Sequence, residues 1–424
     1  MRPHVLYVTP IFGYPALGGP RLRTYNTLRA LARVADVSLY VTEQPDTRDR
    51  AAALAHMLTL CRAVEWPEPR PEPDRSLPRH LARRLLPAGA RAALGRWRSA
   101  SGEPGSRPGR LEELWSWIER RQPDLIWLGF GGISYDLTPL RARTGKPLVL
   151  ETESVWSRFI LRELPFVDDA RKRAAIAREG AAKEAEERAG AQAVDIITAA
   201  SEVDAEYFRA LAPSPERVML LSNVIDVDAY AAPTTPLLLA RPALVFAGSL
   251  SRGTANVDAS AWLVREIMPR VWRARPDAHV YLVGRDPAPE VAALRGSRVH
   301  VTGEVASIVP YLRGAAAALV PLRWESGTRF KILEAFACRT PVVSTTLGAE
   351  GLRVQHDHHL LLADQPETFA GAVLALLDQP RLGQRLADSA YQLVRGEYDL
   401  STAEQQIAAV LQRLGLGVTA LASR

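Results

Sequence analysis

Cysteine is nearly absent from this chain of 424 residues, which contains only Cys61 and Cys338. Two cysteines are too few for a disulfide scaffold or a cysteine metal cluster, so we expect two reduced thiols in a cytoplasmic protein. No apolar run reaches the ~18 residues that span a bilayer. Arg241 and Pro242 interrupt the longest candidate, near residues 237–250. The chain also enters an apolar run almost at once, which disfavours a secretory signal.

Lysine is scarce as well, since only 4 of the 53 basic residues are lysines, and the formal net charge is +6. A modest positive charge suits an anionic substrate, a membrane surface or nucleic acid equally well. Zinc-finger spacing, RNP-like aromatic strands and basic leucine-zipper patterns are all missing, so we expect no nucleic-acid partner. The G-x-G-x-x-G and G-x-x-x-x-G-K-[ST] motifs are missing too, which counts against dinucleotide oxidoreductases and P-loop nucleotide hydrolases.

Short apolar runs alternate with longer helical patterns along the whole chain. Runs that are apolar throughout are typical of strands buried on both faces of a parallel sheet, and their alternation with helices predicts doubly wound α/β units. The pattern occurs twice, so we predict two Rossmann-like domains. The predicted strands are residues 4–9, 37–41, 125–128, 148–152, 196–201, 218–221, 244–249, 280–284, 299–303, 318–321, 342–346 and 360–363.

A proline-rich segment separates the two halves of this pattern. Pro233, Pro236 and Pro242 follow a junction near residues 213–228. Clustered prolines between periodic segments indicate a linker. We therefore predict three parts, namely an N-terminal domain of residues 1–222, a C-terminal domain of residues 223–400 and a helical tail of residues 401–424.

One stretch departs from the pattern, because residues 75–110 contain nine arginines and a single acid, Glu103. Leucines punctuate the arginines at helical spacing, which predicts a basic amphipathic helix pair split at Pro87. A solvated insertion over the first domain is one interpretation. The other is contact with an anionic membrane surface, worth ~1 kcal/mol per basic residue near the lipid, which would place the protein peripherally at the inner face of the membrane.

The strongest candidate site follows the predicted strand 318–321 and opens a helix. Ser326, Gly327 and Thr328 would lie at the N-terminus of that helix. Free backbone N–H groups and the positive end of the helix dipole favour a phosphate there. An ordinary solvated helix start is the alternative for each residue taken alone. Together with the charged residues that follow, the three predict a binding site for a nucleotide diphosphate.

Three charged side chains come next in the sequence. Arg329 and Lys331 can place two cations beside the diphosphate, and preorganised donors there lower the barrier when a sugar–phosphate bond breaks. Glu334, one turn further, can accept hydrogen bonds from two vicinal sugar hydroxyls. We predict that Arg329, Lys331 and Glu334 are catalytic, with exposed and solvated charges as the structural alternative.

Two further strand ends of the second domain are candidates for donor binding. Gly248 and Ser249 lie between a strand and a helix, and the glycine allows a ligand to approach the backbone closely. Gly303 and Val305 follow another strand, whose end could present backbone groups to a nucleobase edge. A plain turn is the competing interpretation for both pairs.

In the first domain, Gly18 and Gly19 follow the first strand and open a helix, which leaves room for a sugar or another acceptor. Arg23 could meet a phosphate there. A flexible turn and a salt-bridged arginine are the alternatives. Glu151 and Glu153 end a central strand, and buried strand ends seldom carry two acids without a polar role. We predict that Glu151 anchors the loop and that Glu153 points into the site as a catalytic residue.

A set of short motifs runs through the second half of the chain. They are Val-Phe-Ala-Gly-Ser at 245–249, Val-Gly-Arg-Asp-Pro at 283–287, Val-Thr-Gly-Glu-Val at 301–305, Pro-Leu-Arg at 321–323, Gly-Thr-Arg-Phe-Lys-Ile-Leu-Glu-Ala-Phe-Ala at 327–337, Pro-Val-Val-Ser-Thr at 341–345 and Gly-Ala-Glu-Gly-Leu at 348–352. With these motifs the chain resembles the retaining glycosyltransferases of family 4. The resemblance implies the GT-B fold, with two Rossmann-like domains facing a cleft. It also implies a nucleotide-sugar donor in the second domain, an acceptor in the first, and a C-terminal helix that crosses back to the first.

Three positions depart from the family's pattern. The family has paired glutamates eight positions apart; Glu334 matches the second, Ser326 occupies the first, and Glu325 is one residue out of register. A basic pair follows the first strand of the second domain in the wider family. Here residues 249–253 read Ser-Leu-Ser-Arg-Gly, so the two later cations would take over the diphosphate. A histidine common in the first domain aligns with Glu153.

The sequence thus predicts a hexosyltransferase-type enzyme that moves a sugar from a nucleotide-diphosphate donor to an acceptor hydroxyl, with retention implied by the resemblance alone. Neither a metal nor another cofactor is expected, because cations and helix N–H groups would take the metal's place. The acceptor would be a sugar, a lipid-linked sugar or a small molecule, in polysaccharide, glycolipid or glycosylated-metabolite synthesis. Two alternatives remain: a nucleotide-sugar epimerase or hydrolase on the same fold, and a catalytically degenerate partner subunit that only binds nucleotide.

Overall fold

The chain forms two compact units in a computed structural model that describes residues 2–67, 110–235 and 237–417. The first unit consists of the described residues of Met1–Ser222 and Ala403–Arg424, and the second of those of Asn223–Thr402. The division therefore falls between Ser222 and Asn223, and the chain returns to the first unit at its C-terminal end.

The N-terminal unit is built on a seven-stranded sheet in which all neighbouring strands are parallel. Its strands, with a separate two-stranded pair β2–β4, are β1 (His4–Thr9), β2 (Gly13–Tyr14), β3 (Asp36–Val41), β4 (Asp46–Thr47), β5 (Ala63–Glu65), β6 (Leu125–Leu128), β7 (Leu148–Glu151), β8 (Ile196–Ala199) and β9 (Val218–Leu220). The order across the sheet is β5-β3-β1-β6-β7-β8-β9. The strands β6, β7 and β8 are buried along their full length, as expected for apolar runs covered on both faces.

The α-helices of this unit connect successive strands. They are α1 (Gly19–Val34), α2 (Arg50–Leu58), α3 (Arg110–Arg121), α4 (Leu140–Thr144), α5 (Trp156–Leu161), α6 (Ala170–Ala193) and α7 (Glu202–Arg209). Asp49, Asp169 and Ser201 accept hydrogen bonds from the first turns of α2, α6 and α7, which satisfies amide groups that the helix itself leaves open.

A buried ion pair joins several of these elements. Nε of Arg23, on α1, lies 2.9 Å from Oε1 of Glu151, at the end of β7, and both side chains are almost fully buried. The guanidinium also donates to the carbonyl of Leu221, just after β9. The carboxylate accepts from the Thr27 hydroxyl and from the indole N–H of Trp127, on β6. Each charge is therefore compensated by polar partners, as a buried charge must be.

The C-terminal unit is built on a six-stranded sheet, again parallel throughout. Its strands are β10 (Ala243–Ala247), β11 (His279–Val283), β12 (Val299–Gly303), β13 (Ala317–Val320), β14 (Val342–Ser344) and β15 (Leu361–Leu362). The order β12-β11-β10-β13-β14-β15 is the 3-2-1-4-5-6 order of a Rossmann sheet. The prediction of two Rossmann-like domains is thus confirmed.

The helices of this unit follow the same alternation. They are α8 (Val227–Ala231), α9 (Ala255–Trp262), α10 (Met268–Ala274), α11 (Pro289–Ala292), α12 (Val309–Gly314), α13 (Phe330–Ala337), α14 (Pro366–Asp378), α15 (Pro380–Glu397) and α16 (Leu400–Arg413). A π-helical turn, Leu263–Ile267, joins α9 to α10. From Ala403 onward α16 is part of the N-terminal unit, where the side-chain amide of Gln406 bonds to Ser222.

Several details differ from the sequence-based expectation. The structure adds the short edge strand β5, which the apolar pattern did not reveal. The helix expected to open at residues 326–328 begins at Phe330. The basic segment 75–110 lies outside the described residues, apart from Arg110, at which α3 begins. In the three described ranges we find no helix with the length and apolar character needed to cross a membrane.

The buried ion pair leads to a prediction about stability. Arg23→Met should lower the free energy of unfolding of the N-terminal unit by ~3–5 kcal/mol, because it leaves the Glu151 carboxylate buried without its cation. The matched control is Arg188→Met, which breaks an exposed ion pair with Glu184 and should cost about 0.5 kcal/mol or less. Urea unfolding of both variants measures the difference. Equal midpoints would show that the buried pair does not hold the unit together.

Candidate functional site

The strand order of the C-terminal sheet reverses between β10 and β13. Open α/β sheets bind ligands outside the carboxyl ends of their strands at such a switch point. Gly248 and Ser249 follow β10 there, and the segment that ends at the start of α13 follows β13. The topology therefore brings the predicted donor residues 248–249 and 326–334 to neighbouring strand ends of one sheet.

The helix α13 begins without the usual side-chain cap. Arg329 occupies the N-cap position, makes no capping hydrogen bond, and no acidic residue lies in the first turn. Helices usually begin with Ser, Thr, Asp or Asn, whose oxygen satisfies an open amide group. Here no side-chain oxygen takes that role, so the start of α13 suits an anion. The Arg329 side chain is buried and donates to the carbonyl of Leu347 at 3.3 Å.

The loop before α13 holds the other predicted diphosphate residues. Ser326 is buried, and its hydroxyl has no hydrogen-bond partner among the residues that the structure describes. Gly327 has φ of +79°, a conformation that favours glycine. Oγ1 of Thr328 accepts a hydrogen bond of 2.6 Å from the side chain of Asn223. The three residues lie directly before the N-terminus of α13, and Ser326 retains hydrogen-bonding capacity for a ligand.

Lys331 is linked to the strand end of β10 through a single asparagine. Its Nζ lies 2.6 Å from Oδ1 of Asn256 and 4.8 Å from the centre of the Phe246 ring. The amide of Asn256 in turn donates to the carbonyl of Ser249 at 2.8 Å. Burial disfavours the charged ammonium and lowers the pKa of Lys331 to about 8, while the nearby Glu325 carboxylate opposes the shift. Lys331 thus stays mostly charged at neutral pH.

Glu334 lies one turn further along α13, where it accepts a hydrogen bond of 2.8 Å from the Tyr230 hydroxyl at Oε1. Burial raises the pKa of Glu334 to about 7, although the Tyr230 hydrogen bond and the Lys331 cation both favour the ionised form. Near neutral pH the carboxyl group therefore exists in both protonation states, so small changes in its surroundings decide whether it accepts or donates a hydrogen bond.

The predicted base-binding residues lie along the same edge of the sheet. Strand pairing aligns Ala247, Val283 and Gly303 at the carboxyl ends of β10, β11 and β12. Gly303 has φ of +76°, and a side chain at this position would meet no atom within 4 Å. Val305 follows in an irregular, half-buried segment. Gly303 and Val305 are therefore two strands away from Ser249, with open space at the glycine.

In the N-terminal unit, the predicted acceptor residues separate into two groups. Gly18 is exposed at the N-cap of α1 with φ of +81°, and Gly19 is the first residue of the helix. A side chain at Gly18 would meet no neighbouring atom, so this turn has open space around it. Arg23, in contrast, is held in the interior by Glu151. This placement corresponds to the salt-bridged alternative rather than to a phosphate-facing cation, and Glu151 anchors it there.

Glu153 lies just after β7 in a half-buried position. Its Oε1 accepts a hydrogen bond from the indole N–H of Trp156, and Oε2 has no hydrogen-bond partner within the described ranges. Burial raises the pKa of Glu153 to about 7, against the effect of the Trp156 hydrogen bond. Trp156 packs so closely on Gly132 that a Cβ there would lie 2.0 Å from its ring. These residues form a polar and aromatic strand end in the N-terminal unit.

Sequence reasoning missed the residues that hold these groups in place. In the N-terminal unit, the fully buried Glu187 accepts from the backbone N–H of Ser157 and from the Tyr207 hydroxyl, and so caps the helix that carries Trp156. The C-terminal unit uses Asn223, Tyr230 and Asn256 in the same way. Nothing in the local pattern reveals these pairings, because the partners are separated by 20 to 105 residues in the chain.

Comparison with known proteins places these features in context. Residues 241–379 match the family model described as "Glycosyl transferases group 1". The chain is 28% identical over 189 residues to the alpha-D-kanosaminyltransferase of Streptomyces kanamyceticus, a match that covers 42% of this chain and 47% of that protein. The chain spans about half the length of the curated relatives it matches.

Solved structures resemble the chain over almost its full length. The sucrose-phosphate synthase of Thermosynechococcus elongatus has a TM-score of 0.67 at 17% identity and covers 97% of this chain and 99% of its own. Anabaena HepE, solved in complex with UDP and glucose, has a TM-score of 0.66 at 14% identity and covers 97% of this chain and 100% of its own. The likeness shows the fold, two Rossmann-like domains as in GT-B proteins.

A close approach of two backbone segments at the strand ends gives a second prediction. A Cβ at Gly284 would lie 1.7 Å from the carbonyl oxygen of Gly248, so Gly284→Ala must displace the loop after β10. We expect faster hydrogen–deuterium exchange of the amides in residues 248–251 and a lower melting temperature. Gly371→Ala, on α14 with open space around it, is the control. It should stabilise the unit by about 0.5–1 kcal/mol. Unchanged exchange in Gly284→Ala would contradict the observed packing.

Proposed function

We propose that this chain is a retaining, hexosyltransferase-type glycosyltransferase that moves a sugar from a nucleotide-diphosphate donor to an acceptor hydroxyl. The observation that carries the proposal is the uncapped start of α13, with Arg329 and Lys331 beside it and Glu334 one turn further. This group follows β13 at the switch point of the C-terminal sheet, where ligands of such sheets bind. It also lies within the stretch that matches the glycosyltransferase family model.

Each residue of the donor site has a distinct role in this proposal. The open amide groups of α13, together with Ser326 and Thr328, hold the diphosphate. Arg329 and Lys331 stabilise the negative charge that grows on the diphosphate as the sugar–phosphate bond breaks. These positive groups are preorganised by Asn256 and by the interior of the unit, so the reaction requires neither a metal ion nor another cofactor. Glu334 accepts hydrogen bonds from donor hydroxyls.

The acceptor is assigned to the N-terminal unit. Glu153, with a pKa of about 7, can accept a hydrogen bond or a proton from an acceptor hydroxyl near neutral pH. Gly18 and Gly19 leave the space that a sugar ring needs. The similarity to a sugar transferase and to a protein solved with UDP supports a UDP-linked donor and a sugar, lipid-linked sugar or small-molecule acceptor. We place this reaction in the cytoplasm, peripherally at the inner face of the membrane where the acceptor is lipid-linked.

A second candidate function is supported by Ser326, which replaces the first glutamate of the family's pair. In that case the chain would bind a nucleotide as a degenerate partner subunit without turnover. Incubation of the full chain with UDP-, GDP-, ADP- and TDP-glucose separates the possibilities. A transferase consumes the donor only when an acceptor is present, whereas an epimerase or hydrolase consumes the donor without an acceptor. A degenerate subunit is stabilised by the nucleotide but consumes no donor. Ligand at about 100 times its Kd should add ~2.7 kcal/mol of stability.

The donor site makes a prediction about charge. Arg329→Ala and Lys331→Ala should each weaken UDP binding by about 1.5–3 kcal/mol, because each removes a charge-assisted contact to the diphosphate. Affinity of the wild type should also fall as the pH rises through about 8, where Lys331 loses its proton. That fall should be absent from Lys331→Ala.

Isothermal titration calorimetry between pH 6.5 and 9 measures both effects. Arg385→Ala is the matched control, because it removes an exposed arginine that pairs with Asp357 on the surface of the same unit. Nucleotide affinity as strong in both site variants as in Arg385→Ala would refute the assignment of the diphosphate to α13.

The acceptor side is tested separately through Glu153. Glu153→Gln keeps the shape of the side chain but cannot accept a proton, so we expect transfer to slow by about 100-fold. Affinity for UDP should stay the same, because Glu153 belongs to the N-terminal unit. Steady-state transfer rates and calorimetry distinguish the two effects, with Glu202→Gln, at an exposed ion pair, as the control. Transfer at the wild-type rate would remove Glu153 from the reaction.

A further inference from the structure

The hydroxyl of Tyr230 approaches Glu334 from a different part of the chain. Tyr230 lies on the short helix α8, which packs against α13, and its hydroxyl is 2.8 Å from Oε1 of Glu334. Within the described ranges, this is the one side-chain hydrogen bond that the Glu334 carboxylate makes, so Oε2 is left for another donor. The contact joins residues that are 104 positions apart, and it depends on α8 keeping its place.

Both ends of α8 are fixed by polar contacts. At its start, the backbone N–H of Val227 donates to Oδ1 of Asp399 at 3.1 Å, and Asp226 caps the first turn. At its end, the guanidinium of Arg313 donates to the carbonyl of Tyr230. A helix of five residues has little stability of its own, so these contacts determine where the Tyr230 ring lies. The Tyr230 hydroxyl is thus presented to Glu334 in a defined position.

We propose that Tyr230 is a positioning residue, which fixes one oxygen of the Glu334 carboxylate so that the other faces the vicinal hydroxyls of the donor. This inference rests on the proposed function, and it adds a residue outside both the predicted site and the family-model match, which begins at residue 241. A carboxylate with one oxygen held has lost part of its rotational freedom before the ligand arrives. Its hydrogen bonds to the ligand therefore cost less entropy to form.

The same contact influences when Glu334 is ionised. The charged or titratable groups that face it are Lys331 on its own helix, Cys338 directly after that helix, and Tyr230 from α8. Asp226 and Arg313 act on those neighbours. Burial raises the pKa of Glu334, and the Tyr230 hydroxyl limits the rise by donating to the ionised form. Removing that hydroxyl should therefore raise the pKa of Glu334 further, while the other groups stay unchanged.

The test compares Tyr230→Phe with Tyr281→Phe. Tyr281 is a buried tyrosine of the same unit whose hydroxyl accepts from the backbone N–H of Ala240, away from α13. In Tyr230→Phe the acidic limb of kcat/KM for transfer should move up by about one pH unit. A shift of that size lowers the rate about fivefold at pH 7, and the ratio of variant to wild type should return toward one at pH 9. Tyr281→Phe should leave the limb in place.

A double-mutant cycle isolates the contact itself. In the Glu334→Gln background, Tyr230→Phe should cause no further change in kcat/KM at any pH, because the carboxylate on which it acts is gone. A merely structural tyrosine would slow both backgrounds equally and would leave the pH profile unmoved. Either of those results would overturn the proposal.

Stability provides a readout that needs no turnover. Because Glu334 has a raised pKa when folded, the unfolded chain binds fewer protons than the folded chain between pH about 4.5 and 7. Unfolding free energy therefore falls as the pH rises through this window. In Tyr230→Phe the fall should continue about one pH unit higher, and in Glu334→Gln it should be reduced. If no donor is ever consumed but this shift is found, the proposed function fails and the Tyr230 contact stands; a missing shift refutes the contact even in an active transferase.

Discussion

The start of α13 is the constraint around which the C-terminal unit is arranged. A helix whose N-cap residue is an arginine leaves its first amide groups without the side-chain oxygen that usually satisfies them. Those groups, together with two cations, create a positive site, which is stable only if the cations are compensated by other parts of the fold. The carbonyl of Leu347 serves Arg329, and the amide oxygen of Asn256 serves Lys331. The strand ends of β10 and β14 are thereby tied to one helix terminus.

Each of the two units contains a carboxyl group whose pKa is close to neutral pH. Glu153 and Glu334 each have a pKa of about 7 because burial penalises the charged form, and each has one oxygen held by an aromatic donor, the indole of Trp156 or the hydroxyl of Tyr230. Glu151, in contrast, is surrounded by an arginine and two neutral donors and has a structural part to play. A buried carboxylate with one hydrogen-bond donor keeps an oxygen available for a ligand. A buried carboxylate with several polar partners has a structural role instead.

The fold could be predicted from the sequence because strands buried on both faces are continuous apolar runs. The two main sheets contain thirteen strands. Eleven of these are at least three residues long and lie within a predicted run or one residue outside it. The edge strand β5 was missed because three residues with a charged end give no such signal. The sequence could group Arg329, Lys331 and Glu334 because they lie close together in the chain. Arg23 was misplaced because the sequence does not show which face of α1 packs on Glu151. Asn223, Tyr230 and Asn256 act on residues 75 to 105 positions away, a separation that no local pattern encodes.

The hydrogen bonds of residues 223–230 tie this segment to the C-terminal unit. Asn223 holds Thr328 and Tyr230 holds Glu334, while the backbone N–H of Ile225 donates to the carbonyl of Tyr398 at the far end of the same unit. A junction engineered between Ser222 and Asn223 should therefore keep these contacts within one parent sequence. A junction at residue 241, where the family-model match begins, would pair α13 of one parent with α8 of the other. The described residues between 223 and 240 therefore belong with the sheet that follows them, although their prolines are typical of a linker.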